Sequence, residues 1–371
     1  MEVINATDMV AGYTMGTEPS GRESLVVVVK GTFTLPHDGT VARLHEEQVP
    51  LIMADTFTGA PGLTAPLDEA DFAPHKRLCD VLLTGSAYAP EGRPALRVPV
   101  GLRVGDWHKS FAVVGQRRWE LGMFNVKVTP PLPFVTKPIS YDTAFGGCNQ
   151  YHDDPALHAA FTLNPVGRGW HKQAQSRFVD GAPLPETEEL NRPVRVPDGD
   201  YMPMSLGPVG RGWDGRRPLA GTYDQDWIDH TFPFLPSDFN EAFYQAAPMD
   251  QQMPYPSGGE EVVLLNLTSR GRSVFRLPAL DVPVVFFRKD GARHETLAVA
   301  DTIVLRPGED LLTLTWRARI ALKKDMFEIP QVLVGRMPRG WWRARELGKE
   351  WYPSLGDLVL NKRGAVLDGA S

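Results

Sequence analysis

The sequence predicts a mainly β protein: two antiparallel sheet regions, sandwich-like in packing, joined by a Pro/Gly-rich loop segment carrying one or two short helices. Three observations carry that prediction. Glycine and proline make up 68 of 371 residues, well above the ~12% of an ordinary chain, and both punctuate a chain into short elements. Runs of β-branched residues and period-two alternation occupy both ends of the sequence. Within the first 125 residues, no stretch of useful length has the period of a helix.

The elements follow in order. Residues 1–125 form an N-terminal β region. Leu25–Val29 (LVVVV) continues through Phe33, and Asp38-Gly39 predicts a hairpin turn into Val41–Leu44. Asp80–Ala89 is a second strand candidate, and Leu96–Val104 pairs with Ser110–Val114 across Gly105-Asp106. Residues 126–258 change character, holding 18 of the 33 prolines, a density that excludes long helices and central strands. One short helix is predicted at Asn240–Ala247, capped by Ser237 or Asp238 and stopped by Pro248. The aromatics of this segment, among them Trp170, Trp213, Trp227, Phe232, Phe234, Phe239 and Phe243, predict that it is ordered and packed.

Residues 259–330 form a C-terminal antiparallel region. Its strands are Val262–Leu267, Ser273–Leu277, Val284–Arg288, Glu295–Ala300, Thr302–Leu305 and Leu311–Leu322. In the last, Leu312, Leu314, Trp316, Ala318 and Ile320 share one face, while Thr313, Thr315, Arg317 and Arg319 share the other, which reads as wet and basic. Residues 331–371 form a tail with a short helix at Trp342–Glu350. Whether the two β regions form one body stays open, although the length alone suggests two domains.

Composition narrows the function classes. The chain is 42% hydrophobic and 23% charged, with formal net charge −6, so it lacks the positive field of a general nucleic-acid or anionic-membrane binder. The start, Met1-Glu2-Val3-Ile4-Asn5, has no basic region followed by an apolar core, and only two cysteines occur, Cys79 and Cys148. A cytoplasmic protein without disulfides is expected.

Catalytic signatures are absent: no His-Glu-x-x-His, no Gly-x-Ser-x-Gly, no Walker loop. Gly210–Gly215 matches Gly-x-Gly-x-x-Gly in letters only, because no strand precedes it and Pro218 obstructs a following helix. Asp224, Asp226, Asp229 and His230 offer oxygen ligands to a hard cation, but read better as caps of turns around Trp227. Glu186, Glu188 and Glu189 read as a solvated loop, and Cys148 as a small buried thiol. Neither metal nor cofactor is expected.

One constellation remains. Pro165–Trp170 (PVGRGW) recurs letter for letter at Pro208–Trp213, which predicts two loops of one conformation, each presenting an arginine and a tryptophan. Arg168, Trp170, Arg211, Trp213, Arg216 and Arg217 are residue types that anchor protein interfaces, and Arg317 and Arg319 add the basic strand face. Either these side chains are exposed for a partner or the tryptophans fold inward and the arginines bond loop carbonyls.

The order of motifs resembles a known family. It runs through Asn5, Gly21–Phe33 (GRESLVVVVKGTF), Asp80-Val81, Thr84–Tyr88 (TGSAY), Val114–Trp119 (VGQRRW), Ala144–Gly147 (AFGG) and Asn164–Gly169 (NPVGRG). It continues with Gly221–Asp224 (GTYD) and Trp227, Leu235–Phe239 (LPSDF), Ala247-Pro248, Gln251-Gln252, Asp301-Thr302 and Trp316-Arg317. Together these resemble a bacterial domain-of-unknown-function family associated with type VI secretion, over most of the chain before the tail. The resemblance implies a non-enzymatic chaperone or adaptor that binds a toxic effector in the cytoplasm. It would help load that effector onto the secretion spike, at a PAAR-like tip or the valine-glycine-repeat (VgrG) trimer. It carries over no catalytic residue. The alternative is a carbohydrate-binding or carbohydrate-active β-sandwich protein, with Trp170 and Trp213 as stacking platforms.

Overall fold

The computed structural model describes residues 1–359 apart from 124, 152, 175 and 176; the end of the tail, 360–371, lies outside the described residues. Strand dominates and helices are few and short, as the punctuation by glycine and proline requires.

Sixteen strands build the two main sheets, two of them unnumbered pieces of two residues each. The other fourteen are β1 (Glu2–Ala6), β2 (Val10–Thr17), β3 (Glu23–Thr34), β4 (Asp38–Val41), β5 (Cys79–Leu83), β6 (Arg97–Val104), β7 (Trp107–Val114) and β8 (Thr187–Glu188). After the middle segment come β9 (Glu261–Leu265), β10 (Arg272–Arg276), β11 (Val282–Phe287), β12 (Arg293–Arg306), β13 (Leu311–Ala321) and β14 (Gln331–Gly335). A ten-stranded sheet runs β1-β14-β11-β12-β13-β3-β2, with β5 and two two-residue strands attached beside that path. A six-stranded sheet runs β8-β7-β6-β9-β10-β4. Both sheets mix strands from the two ends of the sequence. The longest ladder pairs β13 with β3 antiparallel, from Leu311 opposite Thr34 to Ala321 opposite Ser24.

The two β regions share one apolar core. Leu25, Val27, Val29 and Phe33 of β3 and Leu312, Leu314 and Trp316 of β13 belong to the same cluster as Val98, Val100 and Leu102 of β6 and Phe275 of β10. Successive residues of a strand point to opposite faces, so the even positions of β13 and the odd positions of β3 meet across that ladder. Trp316 is the largest side chain of β13, and its indole N–H donates to Leu280 O at 3.0 Å, which lets a polar atom sit in an apolar interior.

The sheet curls where β12 changes neighbours. Its first half pairs with β11, its second half with β13 on one side and with β5, in parallel, on the other. The change falls at a bulge between Ala300 and Thr302, where one extra residue, Asp301, bends the strand. The two short strands read on either side of Asp301 are therefore one long bent strand.

Other expectations give way to tertiary structure. Asp38-Gly39 does not turn a hairpin. Residues 38–41 cross to the other sheet as β4, parallel to β10, while Arg43-Leu44 alone returns to β3. The predicted helix at 240–247 shrinks to a 3-10 turn, Glu241–Tyr244, capped by Asn240. It stops there because Gln245 and Ala246 extend to bond Asp80: Gln245 Nε2 donates to Oδ1 at 2.7 Å and the Ala246 N–H to Oδ2 at 2.8 Å. In the tail, the helix is α2 (Arg339–Glu346), whose Trp341 packs on Val285 and Phe287 of β11 and Leu333 of β14.

The row Thr313, Thr315, Arg317 is not wet. All three are buried, as are Lys30 and Thr32 on β3 and Asp80 on β5. A strap, residues 49–76, covers this outer face. Leu51 and Phe72 of the strap lie against Gly12 of β2 and Pro74 against Gly16, where a Cβ would collide with Leu51 and Pro74. Only Arg319, at the rim, remains exposed.

Candidate functional site

Beneath the strap, charge meets charge. Lys30 Nζ donates to Asp71 Oδ2 at 2.8 Å, and the Ile52 N–H donates to the same oxygen at 2.7 Å. Arg317 pairs with Asp301 through Nη1 and donates to the Asp71 carbonyl through Nη2. Lys76 Nζ donates to Asp80 Oδ2 at 2.6 Å and to the Thr302 hydroxyl at 3.1 Å. Three cations face three carboxylates, all buried, which is the condition under which charge is tolerated in an interior.

The arginines and tryptophans singled out in the sequence divide between interior and surface. Trp213 is buried against Tyr141, Ala144 and Val209, edge-on to the Tyr141 ring at 5.4 Å. Trp170 is half-buried, packed on a second small core with Phe161. Arg216 is a buried hub: Nε and Nη2 donate to Phe243 O at 3.1 and 2.8 Å, Nη1 to Val209 O at 3.0 Å, and Nη2 pairs with Glu69 of the strap. Arg211 clasps Asp55, Nε to Oδ2 at 2.8 Å, and also reaches Glu69 at 2.8 Å. Burial pushes the Asp55 carboxyl up, and the Arg211 and Ala70 N–H bonds outweigh it, holding it below its ordinary value. Arg168 donates to Asp142 O at 3.1 Å and pairs with Glu186 at 3.5 Å. Arg217 pairs with Asp214 on the surface at 2.8 Å, and Arg319 with Glu241 at 3.7 Å.

The tryptophans thus fold inward; Arg168, Arg216 and Arg317 bond backbone carbonyls, while Arg211, Arg217 and Arg319 pair with carboxylates. The structure does not bring the eight side chains together on one surface. The two PVGRGW copies also differ in conformation. In the first, Arg168-Gly169 pairs in parallel with Phe145-Gly146, and Gly169 has φ +91° against Pro185; the second is a turn closed by the Trp213 N–H to Gly210 O at 3.1 Å. Identical letters meet different neighbours, and the neighbours decide.

Two further readings are corrected. Glu186 and Glu188 are not solvated; both are buried, Glu186 paired with Lys137 at 3.0 Å and Glu188 with Arg117 at 3.0 Å. Cys148 is exposed, its thiol donating to Pro165 O at 3.1 Å, and partial burial raises its pKa. Asp224 does cap a turn: its side chain accepts from the Trp227 N–H at 2.9 Å at the start of α1 (Gln225–His230). Among the described residues no group of three or more His, Cys, Asp and Glu could hold a metal ion.

What the sequence reading missed is the segment around α1. Residues 222–234 stand out from the body as a knuckle. Tyr223, Ile228, Phe232 and Phe234 are 53%, 54%, 65% and 50% exposed, the opposite of the packing their aromatic content suggested. The knuckle has a scaffold of its own. The Trp227 ring meets Tyr223 at 4.8 Å and Phe232 at 5.6 Å, both edge-on, and its N–H donates to Phe234 O at 2.9 Å. Its neck is closed where Thr222 donates through N–H and hydroxyl to Asp238, at 2.9 and 2.8 Å, bonds that hold the Asp238 carboxyl below its ordinary value. Phe234 rests on Gly21, whose φ of +79° and lack of a Cβ allow the ring to approach. No sequence signal separates these rings from buried ones such as Phe145 and Trp213.

Residues 20–317 match the family described as "Uncharacterized protein conserved in bacteria (DUF2169)". The chain is a DUF2169 protein. No curated protein and no solved structure matches it significantly. The matched span ends inside β13, so β14 and α2 of this DUF2169 protein lie beyond it, while both copies of PVGRGW and the whole knuckle lie within it. No helix among the described residues is long and apolar enough to cross a membrane.

Proposed function

We propose that this DUF2169 protein is a non-enzymatic adaptor. It binds a type VI secretion effector in the bacterial cytoplasm and assists loading of that effector onto a PAAR-like or VgrG spike protein. The motif order points to the secretion context, and the exposed knuckle carries the binding role. Exposed apolar side chains, with Tyr223 and Phe232 braced on Trp227 and Phe234 against Gly21, are the kind of patch that marks protein contact, and a scaffolded patch loses little entropy on docking.

The test is co-expression of the chain with the product of each neighbouring open reading frame, followed by affinity capture and light scattering. A complex of defined mass with a secretion-spike or toxin protein is the expected result. A folded chain that captures none of them overturns the adaptor reading.

A further inference from the structure

The charges of the knuckle say what kind of partner segment it takes. From 221 to 240 the chain carries Asp224, Asp226, Asp229 and Asp238, and neither lysine nor arginine. Asp224, Asp226 and Asp229 are exposed beside Tyr223, Ile228 and Phe232. Such a surface repels phosphate, anionic lipid and a second copy of itself, since two knuckles would bring three carboxylates against three. It attracts side chains that combine apolar reach with positive charge. The rings supply desolvated contact, while the carboxylates steer the approach and reject acidic competitors.

We propose that the knuckle docks a basic amphipathic helical segment of the protein partner, one that interleaves leucine, phenylalanine or isoleucine with lysine or arginine. This rests on the adaptor reading and adds to it the place and chemistry of contact. The local bonds fit the role. Asp226 accepts from His230, and Gln225 donates to Asp229 at 2.8 Å, so both carboxylates are steadied within α1 with their side of the helix still open to solvent.

The probe is an 18-residue peptide of leucine and lysine with helical spacing, against the same peptide with glutamate for lysine, each labelled and titrated with the full chain. The lysine peptide is expected to bind roughly tenfold more tightly or better. Two knuckle variants, Asp226→Lys with Asp229→Lys, and Ile228→Ser with Phe232→Ser, are each expected to lose about tenfold in peptide affinity. Neither is expected to unfold the body of the chain, because all four side chains are exposed and the contacts they lose lie within the knuckle. A control that changes the same charge elsewhere, Glu46→Lys with Asp106→Lys, both exposed, is expected to lose less than about twofold.

Equal loss in the control would reduce the effect to bulk charge and overturn the proposal, as would equal binding of the glutamate peptide. The same variants are then placed in the captured complex. A complex that survives both knuckle variants breaks this inference and leaves the adaptor standing. A chain that captures no partner, yet holds the peptide through the knuckle, breaks the adaptor reading alone.

Discussion

Along β13 the residues alternate between two buried environments. Leu312, Leu314, Trp316 and Ala318 face the core between the sheets, and Thr313, Thr315 and Arg317 face the strap. Across the ladder on β3, Val27 and Val29 belong to the first side and Lys30 and Thr32 to the second. The first side is held by volume, through non-directional contacts that count in proportion to the area removed from water. The second is held by pairing, in which each carboxylate has named partners and the gain is largely offset by the cost of drying charges. A sheet dry on both faces need not be apolar on both. The core side supplies stability, and the strap side supplies a rule for where the strap must lie.

That comparison can be broken in several ways. The largest effect belongs to the core. Trp316→Ala removes the biggest side chain of β13 and orphans the Leu280 carbonyl, and is expected to cost about 3–5 kcal/mol in urea unfolding. Asp71→Leu comes next, at about 3 kcal/mol, because it strands the buried Lys30 ammonium and frees the Ile52 N–H. The double variant Lys30→Met with Asp71→Leu sharpens the contrast. It is expected to recover to within about 1–2 kcal/mol of wild type, since well-packed apolar residues replace a buried pair at little cost. A double variant as unstable as the single one would mean that the ion pairs are themselves the source of stability.

Smaller effects come from pH. The folded Asp55 carboxyl lies below its ordinary 3.8, so the unfolded chain takes up its proton first as pH falls. The stability it contributes is present above 3.8 and is lost as pH falls from there through the folded value. Part of the clasp is exposed, so the loss is about 0.5 kcal/mol, read as faster hydrogen exchange in the strap, with Asp55→Asn showing no such step. The smallest effect is that of His75, at the end of the strap, whose pKa is pushed below 6.5 by burial and then by Arg319. Its contribution is present above 6.5 and fades as pH falls below it. His75→Gln is expected to flatten the slope of stability between pH 6.5 and 5; an unchanged slope would remove His75 from the account.

Much of this fold was legible in the sequence. β-Branched runs and alternation found β3, β6, β7, β9, β10 and β13, because the pleat writes its period into any strand with one apolar face. The cover over the other face was not legible. Thr313, Thr315 and Arg317 look the same under water as under a strap, and the partners that decide the matter, Asp71 and Asp301, are named by no local pattern. The inward turn of Trp213 was one of two readings left open by the sequence, and packing against Tyr141 closed it. The knuckle was misread because aromatic content says nothing of exposure: Phe145 and Phe232 are the same residue type, one fully buried and the other mostly bare.

The pairing of β1 with β14 ties the first strand to the last, Glu2 beside Gln331 and Ala6 beside Gly335. Ribosomes deliver residues in order, at ~5–20 per second, so roughly 15–65 s separate the birth of β1 from that of its neighbour. The apolar run Leu25–Val29 waits almost as long for β13. For that interval the newborn N-terminal half carries bare strand edges in a crowded cell. Completing this sheet is a matter of timing as well as of affinity.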